Sequence, residues 1–135
     1  MAATIKLEIV TPEAKIFSDN VDMVTLTGTV GEMGILPLHM PLMTALVAGE
    51  IVAQKGKETI SLAVGDGFVQ VTGDRVAVLT DMAIDAENID ETKAEEALRR
   101  AQARLAEKVG DEEAARVQAA LLHATTQLKV KRRRR

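Results

Sequence analysis

Cysteine, tryptophan and tyrosine are absent from the 135 residues, and phenylalanine occurs only twice. Without cysteine there is no disulfide framework and no thiolate metal site, and such a chain fits a reducing compartment. With Phe17 and Phe68 as the only aromatics, a core has to be assembled from Val, Ile, Leu and Met. Single-stranded nucleic acid would find almost nothing to stack on. No apolar run reaches the roughly 18 residues of a membrane helix, and the N-terminus has no basic stretch followed by an apolar one. A soluble, cytoplasmic chain is expected. Serine is as scarce as phenylalanine: neither Ser18 nor Ser61 sits in a Gly-x-Ser-x-Gly elbow. His39 and His123 have no acid or nucleophile at a known catalytic spacing.

Two glycine-containing stretches fall short of phosphate loops. "QKGKET", residues 54–59, lacks the first glycine and has Glu58 where Ser or Thr must bind magnesium. "GDGF", residues 65–68, lacks the third glycine of a dinucleotide fingerprint. Both read as hairpin turns. No catalytic residue and no metal-ligand set emerges, so the chain is expected not to be an enzyme.

What is present divides the chain in two. Apolar residues make up 47%, enough to bury a core. The net charge of −3 splits into −6 for residues 1–86 (5 basic, 11 acidic) and +3 for residues 87–135 (12 basic, 9 acidic). In the first part Ile5, Leu7 and Ile9 alternate with Lys6 and Glu8, the period of a half-buried strand. "VDMVTLTG", "GEIVAQ", "ETISLAV", "FVQVTG" and "RVAVLTDM" read the same way, with glycine-bearing turns between them. Short strands at this spacing predict an antiparallel β-sandwich or barrel over residues 1–86.

From about residue 87 the period changes. Ala94, Leu98, Ala101 and Leu105 share a helical face, as do Val117, Leu121, Ala124 and Leu128 after a break at Gly110. Two helices of about 18 residues in an antiparallel hairpin are predicted over residues 87–135. The alanine-rich seam makes the hairpin weak alone, so it should dock on something and be able to leave it. "KVKRRRR" at the end reads either as a solvated, frayed tail or as a patch for an acidic surface; the acidic remainder of the chain argues against nucleic acid.

"GEMGILPLHMP", residues 31–41, fits neither pattern. Its Gly-x-x-Gly-x-x-Pro-x-His-x-Pro arrangement resembles the signature of the epsilon subunit of bacterial F-type ATP synthases. "LEIVTPE" near the start, "GDGFVQV", "VAVLTDMA" and "NIDETKAEEALRRAQARL" look like the same family in the same order, so the resemblance spans nearly the whole chain. It implies a ten-stranded β-sandwich followed by a helical hairpin. It further implies a non-catalytic rotor subunit in the central stalk of the proton-translocating enzyme, coupling ion flow to ATP synthesis. The implied partners are the gamma subunit and the c-subunit ring. The implied location is the cytoplasmic face of the bacterial inner membrane, reached only through the complex.

By that resemblance Gly31, Glu32, Gly34, Pro37, His39 and Pro41 form the contact loop, with Glu32 toward the c ring and His39 toward gamma. On the residues alone, Ile35, Leu36 and Leu38 would simply plug one end of the sandwich, and His39 would be a hydrogen-bonded structural residue. By the same resemblance the hairpin either folds down against the sandwich or extends along gamma, and the extended form inhibits ATP hydrolysis. Arg99, Arg104, Arg116, Arg132, Arg133, Arg134 and Arg135 would then meet the alpha/beta catalytic head. Some members of the family bind regulatory ATP at Ile/Leu-Asp-x-x-Arg-Ala. Here Ile89, Asp90 and Ala94 match, Lys93 replaces the arginine, Arg100 follows, and Ile84 stands where those members carry an acid. Asp90 is equally explained as a helix N-cap. The alternatives are a free-standing sandwich-and-hairpin adaptor and a nucleic-acid binder acting through the tail.

Overall fold

Alternation of apolar and polar side chains becomes a closed stack of strands. The computed structural model describes residues 3–29 and 31–134, Arg134 through its backbone alone. The strands are β1 (Ile5–Val10), β2 (Lys15–Val21), β3 (Met23–Gly28), β4 (Gly31–Ile35), β5 (Leu42–Leu46), β6 (Gly49–Lys55), β7 (Glu58–Val64), β8 (Gly67–Val71), β9 (Arg75–Thr80) and β10 (Ala83–Asp85). They hydrogen-bond in the order β10-β7-β6-β3-β5-β8-β9-β1-β2, with β4 beside β3. All pairs are antiparallel except β1 with β9.

β3 is where the sheet changes layer. β4 covers one edge of it from Val24 to Gly28. The other edge serves β6 from Met23 to Thr25 and then β5 at Gly28. The far end folds back until β2 meets the end of β6. There Lys55 Nζ donates to Asp19 Oδ2 at 2.6 Å, Asp22 N donates to the Gln54 carbonyl at 2.6 Å, and Gly56 N donates to Asp22 Oδ2 at 2.7 Å. The inward residues of both layers form one core, with Ile5, Leu7, Ile9, Val24, Leu26, Ile51, Val69, Val76 and Val78 fully buried. Burying each such side chain contributes about 1.5–3 kcal/mol relative to leaving it exposed.

After β10 a single 3-10 turn, Ala86–Asn88, leads to α1 (Glu91–Ala106) and α2 (Asp111–Arg134). Asp90 caps α1 by accepting from Lys93 N at 3.1 Å, and three acids, Asp111, Glu112 and Glu113, stand in the first turn of α2 where the helix dipole favours them. The helices lie against each other along the alanine seam, with Ala94, Ala101, Ala124 and Leu128 buried. They are 16 and 24 residues long rather than equal. α2 is the longer because it carries a second stripe. His123, Thr126 and Val130, spaced 3 and 4, turn toward the sandwich, and Val130 joins Ala63, Ala86 and Ile89 in a small second core. This core fastens the hairpin to β7 and to the 3-10 turn.

The expected frayed tail is therefore corrected. Residues 129–134 continue α2, because Val130 has an apolar place to go and Lys131, Arg132 and Arg133 find partners.

Candidate functional site

Two surfaces carry chemistry. The first is apolar and open. Residues 31–41 do not form one turn: Gly31, Glu32 and Gly34 lie in β4, and only the remainder turns. Gly31 sits at φ +119°, where a side chain is strained, but Gly34 does not use glycine's freedom and pairs normally with Thr25. Leu38 takes φ +65°, a left-handed conformation uncommon outside glycine. Its N–H donates to the Gly73 carbonyl at 2.9 Å and His39 N to the Leu36 carbonyl at 3.2 Å, so the tip is tethered to the β8–β9 turn. The His39 ring lies with Nδ1 2.7 Å from the Met40 carbonyl, a contact in which the ring nitrogen donates. Pro37 is half-buried and Pro41 exposed.

The plug expected at this end is only Ile35, which is fully buried. Leu36 and Leu38 point outward instead, Leu38 being 83% exposed, and Met40 and Met43 follow at 79% and 70%. The register extends this surface across the sheet. Ala45 opposes Phe68, Phe68 opposes Leu79, and Leu79 neighbours Val10, all on the outer face of β5, β8, β9 and β1. Phe68 and Leu79 are more than half exposed. The reason sequence patterning missed it is visible in "LMTAL", where both faces of β5 carry apolar residues. An apolar row this continuous on a small protein marks an interaction surface.

The second surface is the closed junction of hairpin and sandwich. Lys131 Nζ donates to the Ala86 carbonyl at 3.1 Å. Arg132 spans Glu91 at 2.9 Å and Glu95 at 2.7 Å, one turn apart on α1. Those two hydrogen bonds, Glu91 first, push the guanidinium pKa further up. Arg133 lies 3.6 Å from Glu50 of β6. His123 Nε2 is 3.1 Å from Asp81 Oδ2 but off the line of a hydrogen bond. At the other end of the hairpin Arg104 binds Glu107 and Glu113, which pins α1 to α2. Arg99, Arg100 and Arg116 are exposed, the last two beside Arg104 in a shallow hollow between the helices. The side chain of Arg134, and Arg135, lie outside the described residues.

The segment considered for ATP is not gathered into a pocket. Ile89 and Ala94 are buried, Asp90 serves as the cap, and Lys93 is exposed. Arg100 stands seven residues beyond Lys93 along α1, about 10 Å at 1.5 Å per residue. Glu50 and Asp81 as acids of the junction, and Glu91 and Glu95 as partners of Arg132 within the hairpin, were not foreseen. The i, i+4 spacing of Glu91 and Glu95 was the only available signal.

Comparison with known proteins covers both parts of the chain. Residues 4–86 match the family "ATP synthase, Delta/Epsilon chain, beta-sandwich domain", and residues 87–132 match "ATP synthase, Delta/Epsilon chain, long alpha-helix domain". The chain belongs to the ATP synthase delta/epsilon family. It is 51% identical over 134 residues to the ATP synthase epsilon chain of Dehalococcoides mccartyi, covering 98% of this chain and 96% of that one. It is 41% identical over 131 residues to that of Herpetosiphon aurantiacus, covering 97% and 96%. Among solved structures, a chain of the Euglena gracilis mitochondrial ATP synthase superposes with a TM-score of 0.73 at 24% identity, over 92% of this chain and 79% of that chain. These relatives make the family member a non-catalytic subunit of ATP synthase of the epsilon type. Among the described residues no helix is long and apolar enough to cross a membrane.

Proposed function

We propose that the chain is a rotor subunit of the central stalk of F-type ATP synthase, held at the cytoplasmic face of the membrane only through the complex. Its outer β5–β8–β9 face and the tip at residues 36–41 dock on the gamma subunit and the c ring. The hairpin acts as a conditional brake on ATP hydrolysis by the alpha/beta head. The observation that carries the reading is the placement of the apolar face. The hairpin packs on β6 and β7 and leaves the row from Met43 through Phe68 to Leu79 uncovered. A solved relative belongs to an assembly described as "OSCP/F1/c-ring", and the open face supplies this chain with a surface for such an assembly. The proposal includes no resident cofactor. Regulatory ATP on residues 89–94 gets little support from an aspartate already used as a cap, and equilibrium dialysis of the full chain against ATP checks this directly.

The test is Phe68→Ser with Leu79→Ser, two exposed positions whose loss leaves the core intact. The doubly substituted chain should fold, judged by circular dichroism, and fail to co-purify with gamma. Normal co-purification would overturn the docking face.

A further inference from the structure

Between α2 and the layer formed by β3, β4 and β6 lies a cleft of about 340 Å³, within the range of small-molecule sites. It is separate from the outer apolar face. Two cations, Lys129 and Arg133, and two carboxylates, Glu32 and Glu50, line it. Arg133 lies against Glu50, which also accepts from Ser61, so this pair is satisfied within the chain. Lys129 and Glu32 share the cleft without touching, and neither has an ion-pair partner among the described residues.

A third group in the cleft is also unanswered. Thr126 is only 5% exposed, yet its hydroxyl has no hydrogen-bond partner among the described residues. Its neighbour Thr125 does what helical threonines commonly do, donating to the Leu121 carbonyl four residues back. Both threonines line the cleft, and only Thr126 brings a hydroxyl not already used within the helix. Among the described residues the one buried side-chain polar atom without a partner is His123 Nε2, so the Thr126 oxygen keeps contact with the solvent of the cleft, where a ligand's polar group can meet it.

We propose that this cleft binds a small zwitterion of the α-amino acid type. Its carboxylate sits at Lys129, its ammonium at Glu32, a hydrogen bond forms to Thr126, and an apolar side chain rests on Leu122 and Val52. A simple anion would face two carboxylates and a simple cation two basic groups; a ligand carrying both signs meets each with its opposite. One wall of the cleft is α2 and the other is the sandwich, so the ligand binds only while the hairpin is packed down. Binding and hairpin packing are therefore linked.

The experiment is a titration of the isotope-labelled full chain with L-leucine, followed by NMR. Leucinamide, which keeps only the ammonium, and 4-methylpentanoate, which keeps only the carboxylate, are the comparison probes. Saturable shifts are expected at the amides of Glu32, Thr126 and Lys129. Each single-charge probe should bind at least about tenfold more weakly, the equivalent of about 1.4 kcal/mol. Thr126→Val keeps the side-chain shape and removes the hydroxyl. It should weaken leucine binding several-fold while melting no lower than the parent, because the hydroxyl removed makes no hydrogen bond among the described residues. Absence of saturable shifts at tens of millimolar leucine, or equal binding of a single-charge probe, overturns the proposal. A Thr126→Val chain that melts lower and binds leucine normally makes that residue a packing element and overturns its role.

Discussion

Truncating Val130 to alanine should loosen the hairpin without weakening the sandwich. Val130 is 3% exposed and belongs to the small second core with Ala63, Ala86 and Ile89, not to the main core. The change removes two methyl groups. At about 0.8 kcal/mol for each buried group, transfer alone costs about 1.6 kcal/mol, and the cavity left between α2 and β7 brings the total to about 2 kcal/mol. Alanine is the better helix former, which returns only a few tenths of a kcal/mol. About 2 kcal/mol is a roughly 30-fold change in the equilibrium between packed and open hairpin.

Native-state hydrogen exchange reads that equilibrium by region. The amides of residues 124–131 should exchange roughly 30-fold faster, the factor that follows from 1.4 kcal/mol per tenfold. Those of Val69, Val71, Val76 and Val78 should keep their parental rates. Val78→Ala, cut into the main core, serves as the contrast and should accelerate the strand amides. Equal acceleration of strands and helices by Val130→Ala would show that sandwich and hairpin open as one unit, and the reasoning would fail. So would unchanged helix amides.

Other outcomes follow from single contacts. Glu8 points outward from β1 between Lys6 at 3.4 Å, Lys15 at 3.5 Å and Arg75 at 3.7 Å. Desolvation alone would raise its pKa, but Lys15, Arg75 and Lys6 together hold it below the ordinary 4.5. A carboxyl depressed in the folded state stabilises above its unfolded pKa and loses that contribution as pH falls through the folded value. Glu8→Gln should therefore melt lower than the parent at pH 7, and the two melting curves should converge in acid below pH 4.5. Two glycines of "GDG" should behave differently. A Cβ at Gly67 would overlap the backbone carbonyl of Leu79, so Gly67→Ala should cost at least about 3 kcal/mol in denaturant unfolding. A Cβ at Gly65 meets only the movable Asp81 carboxylate and His123, so Gly65→Ala should keep the sandwich and speed exchange in α2 alone.

Much of the fold was legible where one face is buried and the other wet. β1, β3, β6, β8 and β9 largely alternate, β7 is buried on both faces over Ser61–Val64 where the hairpin covers it, and all six were read as strands. β2, β4, β5 and β10 were not, each for a physical cause. β2 is an edge strand exposed along most of its length, β4 carries two glycines, β5 is apolar on both faces, and β10 has three half-buried residues. The same distinction explains the sites. Leu36 and Leu38 were expected to be buried because they are apolar, and stand outside, on the face proposed above to dock. In α2 two stripes meet, one for α1 and one for the sandwich, and only the first was noticed. Thr126 and His123 lie on the second, where polar residues in an apolar-period position give no signal of what they face.

The basic end of α2 shows how placement can reverse the meaning of charge. Without residues 129–135 the segment 87–128 holds 6 basic and 9 acidic residues, so the end alone makes the hairpin positive. That composition suits a brake applied to an acidic head. In the packed form, however, Lys131, Arg132 and Arg133 are turned onto the Ala86 carbonyl, Glu91, Glu95 and Glu50 of the same chain. The cations that would grip a partner are the ones that hold α2, Arg132 to α1, Lys131 to the 3-10 turn and Arg133 to β6, so the two states compete for the same charges. Arg132→Ser with Arg133→Ser should therefore open the hairpin of the free chain, seen as faster proteolysis within α2. The parent should move toward the variant as salt rises, since exposed pairs are screened within about 8 Å at physiological ionic strength. In the assembled catalytic complex the same variant loses both latch and grip, so its inhibition of ATP hydrolysis should change less than its hairpin opening does. Parent and variant cleaved at equal rates at low salt would show that these pairs fasten nothing.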